Sequence, residues 1–494
     1  MENTRHTIVK NISSLMAAQI ITWALALILT VFLPRYLGAA NVGKLQLGNS
    51  IWGIMTLFIT FGMDILLTKE IARTPEKTSE LIGTSTIVRL TFFCISFGIV
   101  SIYVRVVNYP VETIQVINIV GISMFINALS GSFLSALQGL ERMEYYSLSD
   151  VISKAVATVL TIILLIMGYS VIMVAYMMLT GSLVAIAIQI FAVQKFQKLK
   201  FTFSQPKTVW MLKNAFPYLL VAGFLTIYTQ LDVIILSLLV NEESIGWYSA
   251  ASRLFGTLLF IPTVFITAIF PVLSRMYSDG SSNLHKLFQK SFDLLLLLSI
   301  PIGLGVFVIA QPVVLLLYGD GFRNSGPILA LMGIVLIFTF LNTLFGRFFI
   351  SIDQQNKWTA VMAVATIVTI PLDLVLVPWC DNQFGNGAIG GSLSFLITEC
   401  GMLVAGLIML PKNILSKNNI WYVLRTILAG GTMAGVAWQL RDKFLLIPVA
   451  AGGLVYLVMV LLLRLIPHED WALLQSVGQN ILGKFRKKKN EISV

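Results

Sequence analysis

Fourteen apolar stretches of about twenty residues or more follow one another along the chain, each long enough to cross a bilayer. They run at 11–34, 45–67, 81–104, 113–137, 149–168, 170–194, 214–240, 250–274, 288–311, 326–351, 358–379, 388–410, 420–440 and 445–466. In hydrocarbon each backbone N–H and C=O must be satisfied internally, which restricts such segments to helices. Of the 494 residues 57% are hydrophobic and 12% charged, about half the charge of an ordinary soluble protein. The connections are too short for a soluble domain. The expected fold is an all-α polytopic membrane protein with about 14 transmembrane helices. The first run leads into Pro34-Arg35 without a small-residue cleavage site, so it reads as helix 1 and not as a removable leader.

The net charge of +11 invites a nucleic-acid reading, but the positions of the cations oppose it. With the N-terminus in the cytoplasm, 24 of the 34 Lys and Arg fall on cytoplasmic segments. Six (Arg35, Lys44, Arg105, Arg323, Arg441, Lys443) fall outside, and Arg89, Arg253, Arg347 and Arg464 lie within helices. That asymmetry is the positive-inside pattern and places both termini in the cytoplasm. Cys94, Cys380 and Cys400 are too scattered for a disulfide framework or zinc spacing, and the three histidines lie at ends and loops. No metal site is expected. The tail from 468 places Trp471, Leu474, Gly478, Ile481 and Phe485 on one helical face before the basic run 486–489. It reads as an in-plane amphipathic helix drawn to anionic lipid, with docking of a partner protein as its alternative role.

Residues 38–45, GAANVGKL, come close to a phosphate-binding P-loop, but Leu45 stands where the magnesium-binding hydroxyl is required. The stretch also joins helices 1 and 2 on the side away from cytoplasmic nucleotide, so that reading fails. The same turn is repeated. Residues 33–53, LPRYLGAANVGKLQLGNSIWG, align with 236–256, LSLLVNEESIGWYSAASRLFG, at a constant spacing of 203 that matches Gly43 with Gly246. A weaker echo pairs 133–138 with 349–354. Six helices separate the matched segments, so the repeats share one orientation and are related by an axis along the membrane normal. This predicts an N-terminal lobe over 1–194, a basic cytoplasmic linker over 195–213 and a C-terminal lobe over 214–411. Helices 13 and 14 (412–467) and the tail (468–494) are appended. Two such lobes rocking about a central cavity are a transporter's architecture.

An ionisable group at bilayer depth costs at least ~2.5 kcal/mol, so each requires a partner or a role. At the helical rise, Glu399 lies about 16 Å, Asp232 about 12 Å and Asp373 about 9 Å from the outer end of its helix. The three carboxylates thus share the outer half of the second lobe, where Arg253 is the one buried base. Either a proton or a cation such as Na⁺ balances the charge, with Ser394 and Thr398 adding oxygen ligands, or Asp232 and Arg253 form a structural pair. No other cofactor is implied. Arg89, Arg253 and Arg347 are candidates to hold a phosphate-bearing substrate, since guanidinium meets phosphate with paired hydrogen bonds. Arg89 and Arg347 lie near enough the cytoplasmic face to snorkel instead, and Asp64 offers Arg89 a partner. Gln19, Trp23 and Asn49 on helices 1 and 2 serve either contact with a polar substrate or helix packing. Gly430, Gly431 and Gly435 read as close-packing positions.

Several segments resemble the bacterial polysaccharide-transport flippases. They are R-Y-L-G-A-A-N-V-G at 35–43, L-T-K-E-I-A-R at 67–73, L-Q-G-L-E-R-M-E-Y at 137–145, and L-D-V-I-I-L-S with I-G-W-Y-S-A-A-S-R-L at 231–254. L-D-L-V-L-V-P at 372–378 and G-G-S-L-S-F-L-I-T-E at 390–399 continue the series through helix 12. Asp373 stands where that family commonly has Asn, and Gly391-Ser392 replaces an Ala pair. The resemblance implies a MATE-like fold within the multidrug/oligosaccharidyl-lipid/polysaccharide exporter superfamily. It also implies movement of undecaprenyl-diphosphate-linked oligosaccharide from the inner to the outer leaflet of the cytoplasmic membrane, and polysaccharide-assembly proteins as the partners a docking tail would meet. Related exporters couple to H⁺ or Na⁺ in the second lobe. A peptidoglycan-precursor flippase or drug exporter of the same fold is the alternative. A membrane polymerase or ligase is disfavoured, because the outer loops are short and carry no nucleophile–base pair.

Overall fold

The computed structural model describes the backbone of residues 2–197, 204–280, 283–411, 414–415 and 417–465, and side chains for most of these. The amphipathic tail from 468 therefore lies outside the described residues. The helices in chain order are α1 (Glu2–Leu37), α2 (Ala39–Thr60), α3 (Met63–Arg73), α4 (Thr78–Val106), α5 (Val111–Gly139), α6 (Met143–Ile166), α7 (Val171–Gln194) and α8 (Gln205–Leu239). There follow α9 (Glu242–Leu258), α10 (Phe260–Ser278), α11 (Asn283–Tyr318), α12 (Ser325–Ser351), α13 (Gln355–Phe384), α14 (Ala388–Met409), α15 (Lys417–Gln439) and α16 (Leu446–Leu462). Among the described residues twelve helical spans are long and apolar enough to cross a membrane, and the stretch Thr226–Leu239 of α8 and all of α16 are shorter apolar helices. Together they account for the fourteen apolar runs.

Two of the expected single helices are broken, for identifiable reasons. Phe61 and Gly62 both take positive φ (49° and 70°) and separate α2 from α3. A Cβ on Gly62 would stand 2.6 Å from the Leu219 backbone nitrogen, so the glycine both makes the left-handed turn and admits α8. The break between α9 and α10 falls just before Pro262, which lacks an N–H and crowds the carbonyl four residues earlier.

The helices form two six-segment lobes, α1–α7 and α8–α14, with α15 and α16 appended against α11. Gly430 admits Ile300 and Leu304 of α11 closely, and Tyr456 donates to the Leu297 carbonyl (2.7 Å). Gly431 and Gly435 have nothing within 4 Å of a notional Cβ, so of the three glycines expected to pack closely only Gly430 does.

The repeat is realised as contact. α2 and α9 cross where Gly43 meets Gly246: a Cβ on Gly43 would overlap the Glu242 carbonyl, and one on Gly246 would overlap the Ala39 carbonyl. Ala39 and Glu242 are themselves matched at the spacing of 203, as are Gln46 and Ser249, whose hydroxyl donates to Gln46 Oε1 (3.1 Å). Residue i touching j while the equivalents of j and i also touch is the signature of a two-fold axis. It passes through this crossing. The weaker echo in the sequence, by contrast, stands one turn out of register with the structural repeat. Glu141 after α5 and Asp353 after α12 both sit at φ 58° in matching end-of-helix turns, which sets a spacing of 212 instead of 216.

Candidate functional site

The three membrane carboxylates do gather within the second lobe, but as neighbouring nodes with no hydrogen bond from one to the next among the described residues, and not as one cage. Glu399 on α14 accepts from Tyr228 Oη on α8 (2.9 Å), and from Thr339 Oγ1 (3.0 Å) and Asn342 Nδ2 (2.8 Å) on α12. Asp232 on α8 accepts from Tyr248 Oη on α9 (3.1 Å). Asp373 on α13 is fully buried with the Ser394 hydroxyl of α14 beside it, yet neither group makes a hydrogen bond of good geometry. Thr398 spends its hydroxyl on the Ser394 and Phe395 carbonyls of its own helix. Among the described residues no three acidic, histidine or cysteine side chains converge on one metal-sized point. A single ion gripped by all three carboxylates is therefore not what the geometry offers.

Arg253 does not neutralise this cluster. No ion pair joins it to Asp232, Asp373 or Glu399 among the described residues, its Nε lacks a hydrogen-bond partner, and its electrostatic neighbour is Tyr318. The structural Asp232–Arg253 pair is thus replaced by Asp232–Tyr248.

The other expected contacts scatter. Arg89 is completely buried, donating from Nη2 to Asp64 (2.7 Å) and from Nη1 to the Ala128 carbonyl. In this conformation it holds Asp64 and has no surface left for a phosphate. Arg347 is exposed and lies over the Phe270 ring at 5.8 Å. Gln19 is exposed on α1, and near it Trp23 packs edge-on against Phe260 of α10 (4.5 Å). Asn49 is half-buried on α2. The substrate residues expected from sequence do not form one cluster.

What sequence reading missed is a polar seam between the lobes, beside the axis. At the end that the charge bias assigns outside, Lys44 of α2 pairs with Glu112 of α5 and reaches Glu242 of α9 (3.7 Å), which also accepts from Thr113. Tyr109 and Ser237 bond across the lobes (2.8 Å). Deeper, Gln46 meets Ser249, and Ser50 donates to Gln230 Oε1 of α8 (2.8 Å). Helical periodicity explains how seam and carboxylates share one helix. Tyr228 and Asp232, four apart, face into the second lobe, whereas Gln230, two from each, points oppositely toward α2. On α9, Tyr248 holds Asp232 while the adjacent Ser249 holds Gln46. The polar residues of α8 at 228, 230 and 232 were the available signal.

Residues 8–277, more than half of the chain, match the sequence profile described as polysaccharide biosynthesis protein. The chain belongs to that family. A second profile, MatE, matches residues 217–375, which include Asp232 and Asp373 but end before α14 and Glu399. The family member described here is 22% identical over 424 residues to a putative O-antigen transporter of Escherichia coli (strain K12), covering 84% of this chain and 99% of that one. It is 22% identical over 372 residues to the probable low-salt glycan biosynthesis flippase Agl15 of Haloferax volcanii, covering 74% and 76% respectively. Its fold is that of the lipid II flippase MurJ in an inward closed conformation, with a TM-score of 0.73 at 17% identity over 91% of this chain and 98% of that one. An inward-facing multidrug resistance transporter of the MATE family aligns with a TM-score of 0.61 at 16% identity, covering 83% and 95%. The relatives matched are named as transporters and flippases, not as enzymes. The protein is a multi-pass membrane protein with a MATE-like fold.

Proposed function

We propose that this protein is a flippase that carries undecaprenyl-diphosphate-linked oligosaccharide from the inner to the outer leaflet of the cytoplasmic membrane, with both termini cytoplasmic. The observation that carries the reading is the two-fold seam between α2 and α9. Two lobes that touch through small residues and few polar bonds about an axis along the membrane normal are built to separate at one end and close at the other. The names of the O-antigen and glycan-flippase relatives supply the substrate class.

Coupling is assigned to the carboxylates behind the seam. A buried carboxylate with no better partner than a neighbouring hydroxyl, as at Asp373, takes a proton or a small cation such as Na⁺ to offset its charge. Gain or loss of that charge acts on Asp232 and Tyr248, and through α8 and α9 on Gln230–Ser50 and Ser249–Gln46. Charge in the second lobe is thereby linked to closure between the lobes. A second reading, flipping of a peptidoglycan lipid precursor, is favoured by the likeness to the MurJ fold.

Deleting the gene from its host tests both. The glycan reading expects lipid-linked oligosaccharide to accumulate in the cytoplasmic leaflet and the corresponding surface polysaccharide to disappear, with cell-wall synthesis intact. Accumulated peptidoglycan precursor with unchanged surface glycan would replace it with the second reading.

A further inference from the structure

A cavity of about 510 Å³ lies inside the N-terminal lobe, walled by α3, α5, α6 and α7, apart from both the seam and the carboxylates. Its volume is that of a small-molecule site, roughly 300–1,000 Å³. The lining combines hydroxyls (Ser135, Ser153), carboxamides (Asn127, Gln138), the Tyr146 ring and two carboxylates. Polar residues that only glue helices together close the space between them. Ser123–Ser182 (2.9 Å) and Ser130–Gln189 (2.6 Å) do this and form the walls. Asn127 and Gln138 are instead exposed, with their carboxamides lining open volume; Gln138 Oε1 accepts only a long bond from Thr68 Oγ1 of α3 (3.5 Å), which leaves its amide N–H groups facing the cavity.

The charge selects the ligand. Asp64 is paired with Arg89 (2.7 Å) and Asp150 with Lys154 (3.0 Å), so each carboxylate has its own cation and no positive charge is left over. A phosphate site needs surplus donors of positive charge. This one presents acceptors, amides and an aromatic wall around a neutral interior, which suits an uncharged group rich in hydroxyls. The walls come from the ends of α5 and α7 and the start of α6, the parts that the charge bias assigns to the cytoplasmic half.

We infer that this cavity is a saccharide subsite, taking one or two sugar units of the substrate while its diphosphate is held elsewhere. The inference rests on the lipid-linked glycan reading given above. It is tested by equilibrium binding to the full-length protein of two probes: the lipid-linked oligosaccharide fraction of the host, and undecaprenyl diphosphate without sugar. Asn127→Phe fills the cavity, and Gln138→Leu removes a carboxamide at nearly constant volume. Losing one or two hydrogen bonds should weaken sugar-bearing lipid about tenfold in either variant and leave the bare diphosphate unchanged. Equal weakening of both probes, or of neither, in variants that unfold at the wild-type temperature would overturn the subsite alone. If the wild-type protein binds neither probe, the glycan-lipid reading itself fails and the subsite with it.

Discussion

Gly43→Ala should leave the protein folded yet unable to close at its outer end. The added Cβ would overlap the Glu242 carbonyl and stand 3.0 Å from the Gly246 nitrogen, and both are backbone atoms that cannot rotate away. α2 and α9 must therefore part, and Lys44–Glu242, Thr113–Glu242 and Gln46–Ser249 part with them. Overpacking of this kind costs about 1–3 kcal/mol. The cost falls only on the closed state, so the population moves toward outward opening by roughly 5- to 150-fold. A cysteine in place of Ser249, buried in the seam, reports the change once Cys94, Cys380 and Cys400 are replaced. A membrane-impermeant thiol reagent added outside should leave it unlabelled in the Gly43 background and label it in Gly43→Ala. Gly98→Ala is the control, since nothing lies within 4 Å of its notional Cβ. Equal labelling in all three backgrounds would show that the crossing does not gate the protein.

Glu399→Gln should abolish gradient-driven transport while substrate still binds. Three side chains donate to this carboxylate, so the pocket is arranged around a group that only accepts. A carboxamide keeps the shape, removes the charge and turns an N–H₂ toward existing donors. A donor left unpaired in that setting costs about 1–3 kcal/mol, small enough for the protein to remain folded. Without an ionisable group at this node, a proton or Na⁺ gradient has nothing to act on there. The proposed saccharide cavity lies in the other lobe, so binding of lipid-linked oligosaccharide should stay within about twofold, inside the scatter of distant substitutions. Transport equal to wild type under both gradients would make Glu399 a structural residue and confine coupling to Asp373 and Asp232.

The spans were legible because hydrocarbon admits so few solutions, and Gly43 and Gly246 were legible because the chain states the same turn twice. Asp232, Asp373 and Glu399 could be placed in one lobe by counting residues from helix ends. Counting gives depth and face, not neighbours. It could not tell that Arg253 misses the carboxylates, that Tyr228, Tyr248, Thr339 and Asn342 surround them, or that Glu112 and Thr113 of α5 complete the outer seam. For the same reason counting leaves Arg89 open between a phosphate, the headgroups and Asp64, and the structure selects Asp64. One charge at bilayer depth looks alike in sequence whether it faces a cavity or is enclosed by Asp64 and a backbone carbonyl. The breaks at 61–62 and before Pro262 had local signals in Gly62 and the proline. A glycine in a membrane helix serves either close packing or a break, so only the structure separates the two roles.

The central claim is that the lobes move a glycan-bearing lipid across the bilayer, and the most direct test is to watch one cross. Purified protein would be placed in liposomes whose inner leaflet carries fluorescent undecaprenyl-diphosphate oligosaccharide, with a membrane-impermeant quencher added outside. Under an imposed proton or Na⁺ gradient, wild-type protein should bring the label within reach of the quencher, and Gly43→Ala and Glu399→Gln should not. Quenching no faster than in protein-free liposomes, under either gradient, would contradict the account.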